Sequence, residues 1–142
     1  MKDEFEMKDL GKIKFYLGLQ IEHLSNGKFI HQSTYTEKGL KHFDMDNVHP
    51  LSITMVDRLL DTKKDLFRQL KENEEILGPE VSYLSIIGAL MYLTNYTRSN
   101  IAFAVNLLAR YSFTPIKIYW NKVKHILCYL CGTTKIDYFI ID

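Results

Sequence analysis

Residues 14–32 read KFYLGLQIEHLSNGKFIHQ. Phe15, Leu17, Leu19 and Ile21 alternate with Tyr16, Gly18 and Gln20, the two-residue period of a strand with two unlike faces. This opening strand is expected to start after the turn signal Asp9-Leu10-Gly11 and to run to about Glu22. Ser25-Asn26-Gly27 supplies a tight turn, because Asn-Gly readily takes positive φ, and Lys28 to Gln32 forms the return strand. Gly18 stands out inside this pattern. A glycine in mid-strand gives up packing surface, which marks a place where another group approaches the backbone closely.

Beyond the hairpin, Ser33 or Thr34 can cap a short helix, with Glu37 at capping-box spacing from Thr34. Leu40 and Phe43 give that helix its apolar face, and it should stop before His49-Pro50. Residues 57–79 are charge-dense and weakly patterned, a connector ending at Gly78-Pro79. From Glu80 the texture becomes helical. Val81, Leu84, Ile87, Gly88 and Met91 recur at helical spacing, and Gly88 suits a close approach by a second helix. A second helix is expected from about Asn100 to Tyr111, apolar nearly all round and so central to the core. A third runs from about Pro115 to Cys131, with Pro115 in its first turn and Gly132 at its stop. Tyr138 to Ile141 read as a closing strand. The fold class is α+β: an N-terminal β-hairpin with a short helix (1–56), a charged connector (57–79), then a three-helix lobe and closing strand (80–142). A lone two-stranded hairpin is marginally stable, so the helical lobe should be the firmer part.

The 142 residues are enough for one modest domain or two small lobes, and 46% hydrophobic content with 25% charge argues for a folded chain. The net charge of +1 conceals an uneven distribution. Residues 81–142 hold 6 Lys/Arg against 2 Asp/Glu, so a polyanionic partner should meet that end. The sequence lacks an apolar run of the roughly 20 residues needed to span a bilayer, and MKDEFEMKDL is too charged for a signal peptide. The 2 cysteines do not make a disulfide framework. An intracellular chain, cytoplasmic or nuclear, not secreted and not membrane-bound, is the expectation.

The third helix carries the most chemistry. Trp120, Val123, Ile126, Leu127 and Leu130 should be its buried face, opposite a stripe of Lys117, Asn121, Lys124, Cys128 and Cys131. With Arg110 and Lys135, the stripe forms a basic ridge able to follow a phosphate backbone, although a plain solvated amphipathic helix gives the same pattern. His125, Cys128 and Cys131 spell H-x-x-C-x-x-C. A structural zinc wants a fourth ligand, and a redox pair normally sits at a helix start rather than its end, so neither reading is favoured. Asp137 and Asp142 are the only carboxylates after Glu80, too few for a two-metal nuclease centre on that lobe. Asp44 and Asp46 fit local turn chemistry. His23 and His31 could pair across the hairpin, with a structural role the better reading. Pattern alone gives this chain no active site.

Three ordered blocks do resemble a known family: FEMKDLGKIKFYLGLQI, then YLSIIGALMYLTNYTRSNIAFAVNLLARYS, then YWNKVKHILCYLCGTT. They look like the Pol polyprotein of Copia-type retrotransposons, between the reverse transcriptase palm and the ribonuclease H domain, and the resemblance covers nearly the whole chain. It implies that the polymerase aspartates lie before such a segment and the ribonuclease H carboxylates after it. The chain itself would then be non-catalytic and without a cofactor, while the parent RNA-directed DNA polymerase would use Mg. The hairpin would steady the primer strand near its 3′ end, with Gly18 bare to admit the sugar-phosphate backbone or merely to relieve packing beside the palm. The helices would be thumb and connection elements. Template-primer and the remainder of the polyprotein are the implied partners, with Gly18, Arg98, Arg110, Lys117, Lys124 and Lys135 as candidate nucleic-acid contacts.

The departures from the family are informative too. Relatives commonly read T-R-P-D-I where this chain has Thr97-Arg98-Ser99-Asn100-Ile101, H-W at Tyr119-Trp120, and L-R-Y-L-R-G-T at Leu127 to Thr133. Each change is reachable by one C-to-T or G-to-A transition, as in a decayed, silenced element. Arginine at positions 128 and 131 would give the ridge four cations instead of two. The competing reading is a small helical protein-interaction module that does not bind nucleic acid.

Overall fold

The computed structural model describes residues 11–45, 49, 74–79, 81–134 and 138–140. Its architecture is α+β, with an antiparallel sheet beside a group of helices.

The opening stretch is two strands rather than one. β1 (Phe15–Tyr16) folds back on β2 (Leu19–Leu24), pairing Phe15 with Gln20 and Tyr16 with Leu19. The turn between them is Leu17-Gly18, with φ of 49° and 79°. Two central residues with positive φ have the sense of a type I′ turn, whose twist matches that of the flanking strands. Leucine is an unusual residue for this conformation, so the alternation continues through the turn and conceals it. β3 (Gly27–His31) pairs with β2 from Leu24↔Gly27 to Gln20↔His31, so the tight turn falls in the expected stretch, but on Ser25-Asn26, without the positive φ expected at Asn26.

The closing strand, β4 (Tyr138–Ile140), pairs antiparallel with β3 through Phe29↔Phe139. The sheet is therefore four-stranded in the order β1-β2-β3-β4. The hairpin is not the lone ribbon expected from sequence. A strand from the far end of the chain widens the sheet past the two-stranded limit of marginal stability.

α1 (Ser33–His42) begins at Gln32, with no side-chain cap hydrogen bond. The predicted capping box is absent. Thr34 instead donates its backbone N–H to Gln20 Oε1 of β2 at 3.2 Å, while Ser33 Oγ lies 2.6 Å from His31 Nδ1. At the other end Asp44 takes φ 54°, Met45 N–H reaches Leu40 O at 2.8 Å, and Asp44 N–H reaches Lys41 O at 3.1 Å. These are the two bonds of a Schellman stop, and Leu40 and Met45, its apolar pair, are both buried. Turn chemistry thus accounts for Asp44; Asp46 lies outside the described residues.

α2 (Tyr83–Tyr96) buries Tyr83, Ile86, Ile87, Leu90, Leu93 and Thr94. Its inner face is turned away from the predicted one, and Leu84 is 68% exposed. Gly88 is also on the outside, where an added Cβ would meet nothing within 4 Å, so no helix among the described residues packs against it. A 3₁₀ turn (Ser99–Ile101) leads into α3 (Ala102–Ala109), which buries Ala104, Val105, Leu107 and Leu108 but leaves Phe103 outside. The buried Tyr83 hydroxyl donates to Leu108 O at 2.9 Å, joining α2 to α3.

α4 (Lys117–Gly132) follows an extended Ile116 that bridges antiparallel to Ile76. Leu77 N–H donates to Pro115 O at 2.9 Å, and Lys117 N–H, an orphan donor of the first turn, donates to Glu75 O at 3.0 Å. Pro115 thus precedes the helix and serves as an acceptor for the end of the connector, instead of occupying the first turn. One hydrophobic cluster joins Leu40 of α1, Leu90 of α2, Val105 of α3 and Leu130 of α4. Each such side chain contributes roughly 1.5–3 kcal/mol on burial, so these four helices stand or fall together.

Candidate nucleic-acid interface

The close approach anticipated at Gly18 is made by the protein itself. A Cβ built on Gly18 would run into the Tyr92 hydroxyl, which donates a hydrogen bond to the Leu17 carbonyl in the same turn. The Tyr92 ring lies between Tyr35 of α1 and Tyr96 of α2, with centroids 4.6 and 5.0 Å away. Burial, and secondarily Tyr92, push the Tyr35 hydroxyl above its ordinary pKa. The neighbour at Gly18 is thus a tyrosine on a helix far along the chain, and the φ of 79° by itself favours glycine there.

The candidate cations do not form one ridge. Arg98 is 2% exposed, inside the protein, with Nη1 donating to Thr133 Oγ1 at 3.5 Å. Arg98 therefore ties the α2–α3 junction to the end of α4 instead of facing solvent. Lys135 lies outside the described residues. Arg110, Lys117 and Lys124 are exposed, but Lys117 Nζ pairs with Glu75 Oε2 at 2.7 Å. Lys124 Nζ sits 5.5 Å from the Trp120 ring centroid, and Lys122, which the sequence pattern did not single out, sits 5.8 Å from that of Tyr119. Tyr119 in turn stacks on Tyr111 at 4.0 Å. The ridge also loses its C-terminal half. α4 buries a face wide enough to include Tyr119, Cys128 and Tyr129, leaving Cys131 only half-buried. Burial and the neighbouring Cys131 raise the Cys128 thiol pKa, against smaller lowering effects from a backbone hydrogen bond and Lys124.

The sequence of the helical part is nevertheless one-signed, although Glu75 from the connector reaches Lys117. No Asp or Glu occurs between Glu80 and Asp137. Lys117, Lys122 and Lys124 all lie in the first half of α4, whose first turn contains no acid. Lys117 is the one cation of the first turn, where the helix dipole opposes it, and Glu75 offsets that; Lys122 and Lys124 lie beyond the reach of the dipole.

A second basic feature is an open groove of about 410 Å³ on the hairpin, lined by Lys12, Lys14, Phe15, Glu22, His23 and His31 among others. His31 is buried, with Nε2 3.3 Å from the Glu22 carboxylate. His23 Nε2 lies 2.8 Å from Ile13 O. Strand register sets His23 opposite Lys28 and His31 opposite Gln20, so the two histidines do not pair. Lys12 and Lys14 were legible only as charges beside a strand, since nothing in their spacing announces a groove. Among the described residues no three His, Cys, Asp or Glu side chains come together as a metal site, which leaves His125, Cys128 and Cys131 without a metal-binding geometry. No helix among these residues is long and apolar enough to cross a membrane.

Residues 1–57 match the family described as reverse transcriptase (RNA-dependent DNA polymerase). The chain is 37% identical over 136 residues to the Retrovirus-related Pol polyprotein from transposon TNT 1-94 of Nicotiana tabacum, a match covering 94% of this chain and 10% of that protein. An uncharacterized mitochondrial protein of Arabidopsis thaliana is 32% identical over 137 residues, covering 94% of this chain and 51% of its own length. The Retrovirus-related Pol polyprotein from transposon RE2 of the same plant is 29% identical over 133 residues, covering 94% of this chain and 8% of that protein. No solved structure matches the chain.

Proposed function

Because this chain belongs to the Pol polyprotein family of Copia-type retrotransposons, of which it spans only a part, we propose that it positions template-primer without performing chemistry. The observation that carries this reading is the one-signed helical part. Arg110, Lys117, Lys122 and Lys124 stand on a stretch whose sequence is free of carboxylates, and three of them lie in the first half of α4. A phosphate backbone is the partner such a run of cations suits. The Lys12 and Lys14 groove on the hairpin is the second contact, and Gly18 acts there through the turn it permits. Arg98 holds the helices that present the lysines.

Polymerisation and its Mg ions belong to carboxylates elsewhere in a polyprotein, and no step is assigned to residues here. The cysteines at 128 and 131 fit a decayed element. Codons at these positions that do not differ from intact relatives by C-to-T or G-to-A changes would remove that part of the reading.

The test is a salt titration of the purified chain with a labelled primer-template duplex. Removing one lysine that neutralises a phosphate should flatten the logarithmic salt dependence by about 0.9, so Lys122→Gln plus Lys124→Gln should flatten it by about 1.8. No binding, or binding indifferent to salt, overturns the reading. The alternative of a protein-interaction module draws on the outward Leu84 and Phe103, 68% and 58% exposed, and predicts salt-insensitive capture of a protein instead.

A further inference from the structure

We propose that Tyr92 is a positioning residue that fixes the attitude of the hairpin tip on the helices, and that Gly18, whose φ of 79° already favours glycine, also leaves the space its hydroxyl occupies. Three observations meet at this point. The Tyr92 hydroxyl donates to Leu17 O and fills the space a Gly18 Cβ would need. Leu17 holds φ 49°, a conformation that a bulky side chain adopts only when its surroundings impose it. The Tyr92 ring is held by Tyr35 and Tyr96, so the hydroxyl is presented from a fixed platform on two helices.

The consequence is geometric. β1 hangs from this turn, and Ile21 N–H reaches Lys14 O at 2.8 Å alongside it. Lys12, Lys14 and Phe15 line the groove, so the attitude of the tip sets where these groups stand relative to the lysines of α4. A rigid duplex touching both elements requires that relation to be set before it arrives, because ordering the tip on binding would weaken affinity. The role in binding rests on the template-primer reading; the latch itself does not.

The full chain and three variants, Tyr92→Phe, Gly18→Ala and Gly18→Ala/Tyr92→Phe, separate the two. Amide hydrogen exchange reads the latch without nucleic acid. Tyr92→Phe should speed exchange at Ile21 by about three- to tenfold, the worth of one ordinary hydrogen bond, and leave α3 unchanged. Duplex affinity should fall by a similar factor with the salt slope unaltered, because every phosphate-neutralising cation is still present. Gly18→Ala adds backbone strain at φ 79° to the clash, so it should be more damaging than Tyr92→Phe, and removing the hydroxyl as well should restore only the share due to the clash. Unchanged exchange in Tyr92→Phe, or a Gly18→Ala loss that Tyr92→Phe does not relieve at all, overturns the proposal. If even the parent chain fails to bind duplex, the template-primer role falls, while the exchange rates still decide the latch.

Discussion

Thr97 donates its hydroxyl to Gln32 Oε1 at 2.6 Å, joining two buried residues that lie 65 positions apart. Gln32 is the residue before α1 and Thr97 the residue after α2, so one side-chain bond fastens the start of one helix to the end of another. Valine matches threonine in shape but not in hydrogen bonding. Thr97→Val should therefore cost about 1–3 kcal/mol, the penalty for stranding a buried acceptor. The midpoint of urea unfolding measures it. Adding Gln32→Leu should cost less than the two single losses summed, and strict additivity would mean the pair is not coupled.

Gly39 and Gly88 occupy helix interiors, and a Cβ added at either meets nothing within 4 Å. Alanine at each should raise stability by about 1 kcal/mol, through helix propensity and a less flexible unfolded chain. Thermal unfolding of Gly88→Ala is the sharper check. A lowered melting temperature would mean that another helix does pack closely against Gly88.

These glycines also mark what the sequence could and could not disclose. The place of the second hairpin turn, the helices and the closing strand were legible because turn-forming residues and apolar period are local, though Asn26 does not take the positive φ expected of it. The Leu17-Gly18 turn was hidden because its flanks keep the alternation of a single strand. The inner face of α2 was misread because Leu84 and Met91 are apolar yet point outward. Apolar residues also form much of a normal surface, so spacing alone does not orient a helix that is apolar on several sides. For the candidate site, lysines on α4 were legible as charges, but the burial of Arg98 and Cys128 depends on which helices pack against them. The Tyr92 contact joins residues far apart in sequence, and no local pattern encodes it.

Glu75 pairs with Lys117 at 2.7 Å while both side chains remain more than half exposed. Such a pair is worth less than about 1 kcal/mol, so Glu75→Gln should hardly change stability. It releases Lys117, however. In the template-primer reading, affinity for duplex should rise and the salt slope steepen by up to about 0.9. An unchanged titration would place Lys117 outside the contact.

Cys128 and Cys131 are three positions apart on α4 and should behave as different groups. Cys128 is buried, and an arginine there must bring charge and volume into a packed core. Cys128→Arg should destabilise by roughly 2–4 kcal/mol, whereas Cys131→Arg, on a half-buried position, should fold and steepen the salt dependence by about 0.9. Cys128 should also make the fold sensitive to pH. Burial first, and the neighbouring Cys131 second, lift the Cys128 pKa above the ordinary 9.0. The unfolded chain then loses this proton at lower pH than the folded one. The contribution to stability is complete below the unfolded value and disappears as pH rises through the folded value, so alkaline solution should weaken the fold. Thiolate is the reactive form, and at about pH 8 iodoacetamide should label Cys131 before Cys128, read by peptide mass mapping. Equal labelling rates in the native chain would mean that Cys128 reaches solvent and that the wide buried face of α4 is misplaced.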